Sequence, residues 1–246
     1  MFDHPHADVI HQHVAARYNC AVEDFIRPGV HVQVWQHADR RLMLTFKHDH
    51  SLLIQTNDDF ADRIRSWLAE RSGLAECHDD FWVFDELVEK FAPGNSLGAP
   101  TERVLYLHPD RFCPQPDVAV RPLTDADGRA LTDLHRACPM LDQRMANINI
   151  DHPAVVGKFL DGQLIAVASF IESEFDTIAD VGVLVHPDHR RQGNGQAVVS
   201  ALAEHGLKTN RIVQYWRLDM NSGSVHIAER LGFSEYGRQT MLRCDG

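Results

Sequence analysis

Cysteine is scarce and poorly placed for cross-linking. The five residues, Cys20, Cys77, Cys113, Cys138 and Cys244, are odd in number, widely spaced, and never form CxxC. That argues against a disulfide framework or a thiolate zinc site and for reduced thiols in a reducing compartment. Long apolar runs are missing too. The most apolar stretch, Leu164 to Ile171, has eight residues, against the roughly 20 that a membrane span needs, and reads as a buried strand. The opening residues, Met1-Phe2-Asp3-His4-Pro5-His6, lack a basic region followed by an apolar one. No signal peptide and no membrane association are therefore expected, and the cytoplasm is the expected address. Positive charge is in deficit: the formal net charge is -11. An acidic surface repels nucleic-acid phosphates, so nucleic acid is not an expected partner. Acidity suits a cationic acceptor such as an amine, and it serves solubility equally well.

What is present is an ordinary globular composition, 44% apolar and 24% charged, in 246 residues, enough for one large domain or two small ones. Histidine is abundant, at 16. His4, His6, His11 and His13 crowd the N-terminus, and His48-Asp49-His50 separates two strand-like runs. No carboxylate–histidine spacing typical of metal ligands accompanies them, so they read as a polar terminus and a hairpin turn, and no metal is expected.

Two segments rich in turn formers punctuate the chain, 91–100 and Pro109 to Asp117. The second has prolines at 109, 114 and 116, which fix φ and withhold an N–H. It is the expected domain boundary, giving an N-terminal α+β domain over 1–115, of unknown role, and a second domain over 116–246. In the first, His11 to Tyr18 reads as a helix and Val30, Val32 and Val34 alternate as in a half-buried strand. Leu42 to Phe46 and Ser51 to Thr56 read as a hairpin. Asn57 or Asp58 caps a helix bearing Phe60, Ile64, Trp67 and Leu68 on one face. A further helix over Asp85 to Phe91 and a strand over Val104 to Leu107 follow. The second domain reads β-α-β-β-β-α-β-α-β, with Asp161-Gly162 marking a tight hairpin and a helix over Ser222 to Leu231.

The chemistry concentrates in Val181-Gly182-Val183-Leu184-Val185-His186-Pro187-Asp188-His189-Arg190-Arg191-Gln192-Gly193-Asn194-Gly195-Gln196-Ala197. A strand stops at a proline, a basic glycine-containing turn follows, and a helix begins. The first helical turn offers unpaired N–H groups and the positive end of a dipole. Glycines let an anion approach the backbone, which suits a phosphate or pyrophosphate. The lysine of a Walker loop is absent. Gly193 and Gly195 begin a dinucleotide fingerprint, but Val198 stands where its third glycine belongs.

The pattern resembles the acetyl-CoA-binding motif of the GNAT superfamily (Gcn5-related N-acetyltransferases), Arg/Gln-x-x-Gly-x-Gly/Ala preceded by Val-x-Pro. Here Val185-His186-Pro187 precedes Arg190-Arg191-Gln192-Gly193-Asn194-Gly195. Downstream, Asn221 and then Ala228-Glu229-Arg230-Leu231-Gly232-Phe233 fall in register with a second family element. The resemblance covers about Asp117 onward. It implies an α/β fold with a mixed, splayed central sheet and flanking helices, and acetyl-CoA as co-substrate. It implies that the strand before the loop bulges, so that free backbone groups of Val183, Leu184 and Val185 meet the pantetheine. Arg190, Arg191, Gln192, Gly193, Asn194, Gly195 and Gln196 would hold the pyrophosphate, Asn221 would contact the cofactor or order the second splayed strand, and an N–H near Leu184 would meet the thioester oxyanion.

The acid and base do not carry over. The tyrosine that family members often place seven residues after the asparagine is Ala228 here, leaving Tyr236 as the nearest in sequence. The usual base positions are Ala179 and Val181, leaving Glu172 and Glu174 as candidates. The resemblance implies an N-acetyltransferase acting on a small-molecule amine or a peptide. The alternatives are a non-catalytic acyl-CoA-binding module, and a tandem in which residues 1–115 are a degenerate copy of the fold. A homodimer is compatible with the sequence.

Overall fold

The computed structural model describes residues 2–37, 39–70, 81–95, 100–171 and 177–244. The architecture is mixed α/β. The chain divides into two compact units, the first of Met1–Val104, Leu218–Met220 and Tyr236–Gly246, the second of Leu105–Arg217 and Asn221–Glu235.

In the first unit, α1 (Ala7–Arg17) and the short α2 (Glu23–Ile26) precede β1 (Gly29–Val34). Strands β2 (Leu42–His48) and β3 (Ser51–Thr56) form the expected hairpin, with Asp49 at φ 48° in the turn. Helix α3 (Asp58–Ala69) starts where Asn57 Oδ1 accepts the Phe60 N–H at 3.1 Å, which satisfies a donor the helix leaves open. It buries Phe60, Ile64 and Trp67 in one cluster with Met43, Leu52 and Ile54, joined by Leu87 and Phe91 of α4 (Phe81–Phe91). Strand β4 (Thr101–Leu107) carries the chain from the first unit to the second. The strand order in the first unit is β1-β3-β2-β10, where β10 is Phe233–Arg243.

The proline-bearing segment packs within the second unit: Cys113 N–H donates to Leu231 O at 3.1 Å and Gln115 N–H to Ser200 Oγ at 2.7 Å. The C-terminus returns to the first unit because Arg238 to Arg243 pair antiparallel with Leu42 to Lys47. A partner nearly two hundred residues away leaves no local mark in composition.

That return builds an aromatic and histidine cluster. The Tyr236 hydroxyl lies 2.7 Å from His11 Nδ1. His48 Nδ1 donates to Tyr236 O at 2.6 Å, and its ring stacks on the Tyr236 ring at 4.1 Å. Burial lowers the His48 pKa; the Tyr236 carbonyl and Asp49 act against it, while His11 and the N-terminal amine reinforce it. The unfolded chain therefore takes a proton near pH 6.5 that the folded one refuses. The stabilisation is fully present above that pH and is lost as pH falls below it. The melting temperature is expected to drop by a few degrees between about pH 7 and 5, and His48→Gln to flatten that slope. A wild-type melting curve constant across this range would contradict the assignment.

The second unit has strand order β9-β8-β7-β6-β5. After β5 (Val120–Pro122), Asp127 takes the Thr124 N–H at 2.9 Å and a bidentate pair from Arg121, which holds its carboxyl well below the usual carboxylate range and starts α5 (Gly128–Ala137). Helix α6 (Met140–Ala146) follows. Strands β6 (Val155–Leu160) and β7 (Gln163–Ile171) meet at Asp161 and Gly162, both at positive φ. Then come β8 (Ile178–Val185), α7 (Asn194–Lys208), β9 (Ile212–Leu218) and α8 (Ser222–Leu231). One sheet face buries Ala179, Val181, Val213 and Tyr215 with Val198 and Leu202 of α7 and Ile227 and Ala228 of α8. The opposite face buries Val167 and Leu184 with Leu131 and Leu134 of α5 and Ala146 of α6.

Candidate functional site

The site begins where β8 and β9 part. Their parallel pairing runs only from Ile178↔Ile212 to Asp180↔Gln214, although β8 continues to Val185 and β9 to Leu218. On the other side β8 stays paired with β7 from Asp180 to Val185 without a register shift. The bulge implied by the family resemblance is therefore not in β8. The shift in this sheet lies in β6, between Lys158 and Phe159. The gap opens because β9 diverges.

Alternation decides which backbone groups face the gap. His186 N–H donates to Ile165 O at 2.9 Å, and Leu184 lies opposite Val167, two residues along the same ladder. In an antiparallel ladder the directly bonded pairs recur every second residue. Leu184 therefore spends its amide groups on β7, and those of Val183 and Val185 turn toward the gap. The amide groups left open beside Leu184 are thus those of its two neighbours. The Val185 carbonyl is already engaged, by Arg190 Nε at 3.2 Å and the Cys138 thiol at 3.6 Å.

The loop after β8 is folded by its own side chains. His186 Nδ1 accepts the Asp188 N–H, Gln192 Nε2 donates to Asp188 O, and the buried Asn194 Nδ2 donates to His189 O at 2.8 Å. Arg191 at φ 59° and Gly193 at φ 79° turn the chain into α7. Among the described residues no acceptor meets the backbone N–H groups of Arg191 through Gln196; the first engaged donor is Ala197, bonded to Gly193 O. Six open donors at the positive end of a 15-residue helix form an anion cradle. Gly195 sets its depth. A Cβ there would lie 3.1 Å from Ile227 Cδ1 and 3.2 Å from Val185 Cγ2, so α7, α8 and β8 converge on this residue.

Of the candidate residues, Val183, Leu184, Val185 and 190–196 are brought together, with differing duties. Arg190 reaches across to Asp142 Oδ2 at 2.7 Å, tying the loop to α6. The Asn221 side chain accepts the Ser224 N–H at 3.2 Å, capping α8. Glu172 and Glu174 lie outside the described residues. Tyr236 belongs to the first unit, in the cluster with His11 and His48.

Sequence reasoning did not single out Tyr215 of β9, the first residue beyond the paired stretch. Its side chain is buried, yet its hydroxyl has no hydrogen-bond partner among the described residues. The available signal was a phenol inside an apolar strand, whose hydroxyl needs a partner.

Comparison with known proteins bears on this geometry. The acetyltransferase (GNAT) family model matches residues 121–233. These residues form a GNAT domain. The stretch contains the β8–α7 loop, the diverging strands and α8. A GNAT-family acetyltransferase from Colwellia psychrerythraea shares the fold, with a TM-score of 0.54 at 13% identity, over 78% of this chain and 76% of that one. Weaker likenesses link the chain to GCN5-related N-acetyltransferases from Sphaerobacter thermophilus (TM-score 0.49, 13% identity, 75% of this chain and 66% of that one) and Kribbella flavida (0.42, 20%, 61% and 59%). The chain thus spans less than two thirds of each of these last two proteins, 66% and 59%. No curated protein matches it in sequence. Among the described residues no group of three potential ligands is placed to hold a metal ion, and no helix is long and apolar enough to cross a membrane.

Proposed function

We propose that this protein transfers an acyl group, acetyl in the simplest case, from acyl-CoA to a primary amine of a small molecule or peptide, by direct attack within a ternary complex. The observation that carries the reading is the row of open N–H groups from Arg191 to Gln196, set beside a strand whose partner has diverged. The residues present fit the donor: those N–H groups suit a pyrophosphate, and the Val183 carbonyl and the Val185 N–H suit the amides of an extended pantetheine arm. When bound, acyl-CoA supplies the activated thioester. The Val183 N–H is then placed to steady the negative charge that develops on the thioester oxygen. Holding both reactants along β8 replaces a chance encounter, and much of the acceleration comes from that positioning.

Proton movement is left to few groups. An alkylammonium, with a pKa near 10.4, must lose a proton before it attacks. Glu172 and Glu174 are proposed to take it, directly or through water. Ala179 and Val181, where the family often has its base, are apolar and buried, as is Ala228, where it often has its acid. The same three residues favour a second reading, an acyl-CoA-binding module without catalysis.

Purified protein, acetyl-CoA and a panel of amines distinguish the two. Release of free thiol with at least one amine supports transfer. Acetyl-CoA that binds in calorimetry but yields no thiol with any amine leaves the binding module. Failure to bind acetyl-CoA removes both.

A further inference from the structure

The orphaned hydroxyl of Tyr215 is costly. A buried donor without an acceptor destabilises a fold by about 1–3 kcal/mol, and buried polar groups are nearly always satisfied. Nothing in the packing calls for an oxygen here. The ring belongs to the apolar cluster that also holds Val213, Ile227, Ala228 and Phe233, its centroid 5.6 Å from that of Phe233, where phenylalanine would serve as well. Ser224, on the first turn of α8, lies near enough to act on the phenol and favour its phenolate, but among the described residues no group meets the hydroxyl at hydrogen-bonding geometry. Tyr215 is also placed by register: β9 leaves β8 after Gln214, so this residue stands at the mouth of the gap. On α8, Ser224 and Ala228 are one turn apart and share a face. Ala228 offers only a methyl group, and it and Tyr215 belong to the same buried cluster.

We propose that the Tyr215 hydroxyl is a binding group for acyl-CoA, donating a hydrogen bond to a carbonyl oxygen of the arm that enters between β8 and β9. This rests on the acyl-CoA reading above. Burial pushes the phenol up to about 12, so it stays neutral and keeps its proton to donate.

The test separates binding from folding. In the full-length chain, Tyr215→Phe is expected to melt at the wild-type temperature or slightly above it without ligand, because an unsatisfied oxygen is removed at constant shape. Its dissociation constant for acetyl-CoA, read by calorimetry, is expected to rise about tenfold, the worth of one hydrogen bond into a dry site. The melting-temperature gain on adding acetyl-CoA should shrink in parallel. A Tyr215→Phe protein that melts lower without ligand would show that the hydroxyl has a structural partner, and Ser224→Ala, reproducing that loss, would name it; either result overturns the proposal. Unchanged affinity in the variant, with normal binding by wild type, overturns the proposal alone. Failure of the wild type to bind acetyl-CoA takes the functional reading down with it.

Discussion

Gly195→Val is expected to weaken acetyl-CoA binding by about a hundredfold, with a much smaller effect on folding. The added atoms meet Ile227 Cδ1 and Val185 Cγ2, the ends of side chains that can shift by tenths of an ångström. The helix start must move to relieve the rest, and the open N–H groups move with it. Hydrogen bonds to charged groups contribute about 1.5–3 kcal/mol each, and every 1.4 kcal/mol is about a factor of ten. Misplacing one or two of the cradle's donors is enough. Gly195→Ala should lie between wild type and valine. Calorimetric titration with acetyl-CoA checks the series, and a valine variant that binds like wild type would refute the cradle.

Gly182→Ala is expected to act on stability instead, lowering it by about 2–4 kcal/mol, or roughly 4–16 °C in melting temperature for a chain of this size. A Cβ at Gly182 would lie 2.1 Å from the Ala146 carbonyl oxygen. That atom is backbone and cannot rotate away, so β8 or the end of α6 must move. Because Asp142 of α6 holds Arg190 of the loop, the displacement reaches the cradle, and acetyl-CoA affinity should fall as well. Thermal denaturation with and without acetyl-CoA separates the two effects. A variant that melts within about a degree of wild type would show that α6 is not seated on β8 as described.

These predictions draw on different depths of information. Helix α8 was legible to the residue, since Asn221 starts it and Gly232, at φ 89°, ends it. The β8–α7 loop was legible because an anion site at a helix start needs particular residues in a fixed order. What stayed hidden depends on distant partners. Arg190 read as a phosphate ligand, yet it ties the loop to Asp142, 48 positions earlier. Helix α6 exposes Met140, Leu141 and Met145, against the usual inward apolar pattern, so periodicity gave no stripe to follow. The orphaned Tyr215 hydroxyl was hidden for the same reason, since satisfaction of a buried group is a property of the folded surroundings.

The pairing of β10 with β2 governs how the molecule can be taken apart. A clone of 116–246 includes every residue matched to the family and looks like a natural unit for expression. It would also carry Arg238 to Arg243 with the hydrogen-bonding edge that Leu42 to Lys47 normally cover laid bare, an invitation to stack on neighbouring copies. The first hundred residues therefore supply the strand that covers this edge of the tail. A soluble excised fragment would need either that stretch supplied in trans or a strand redesigned to end near Glu235.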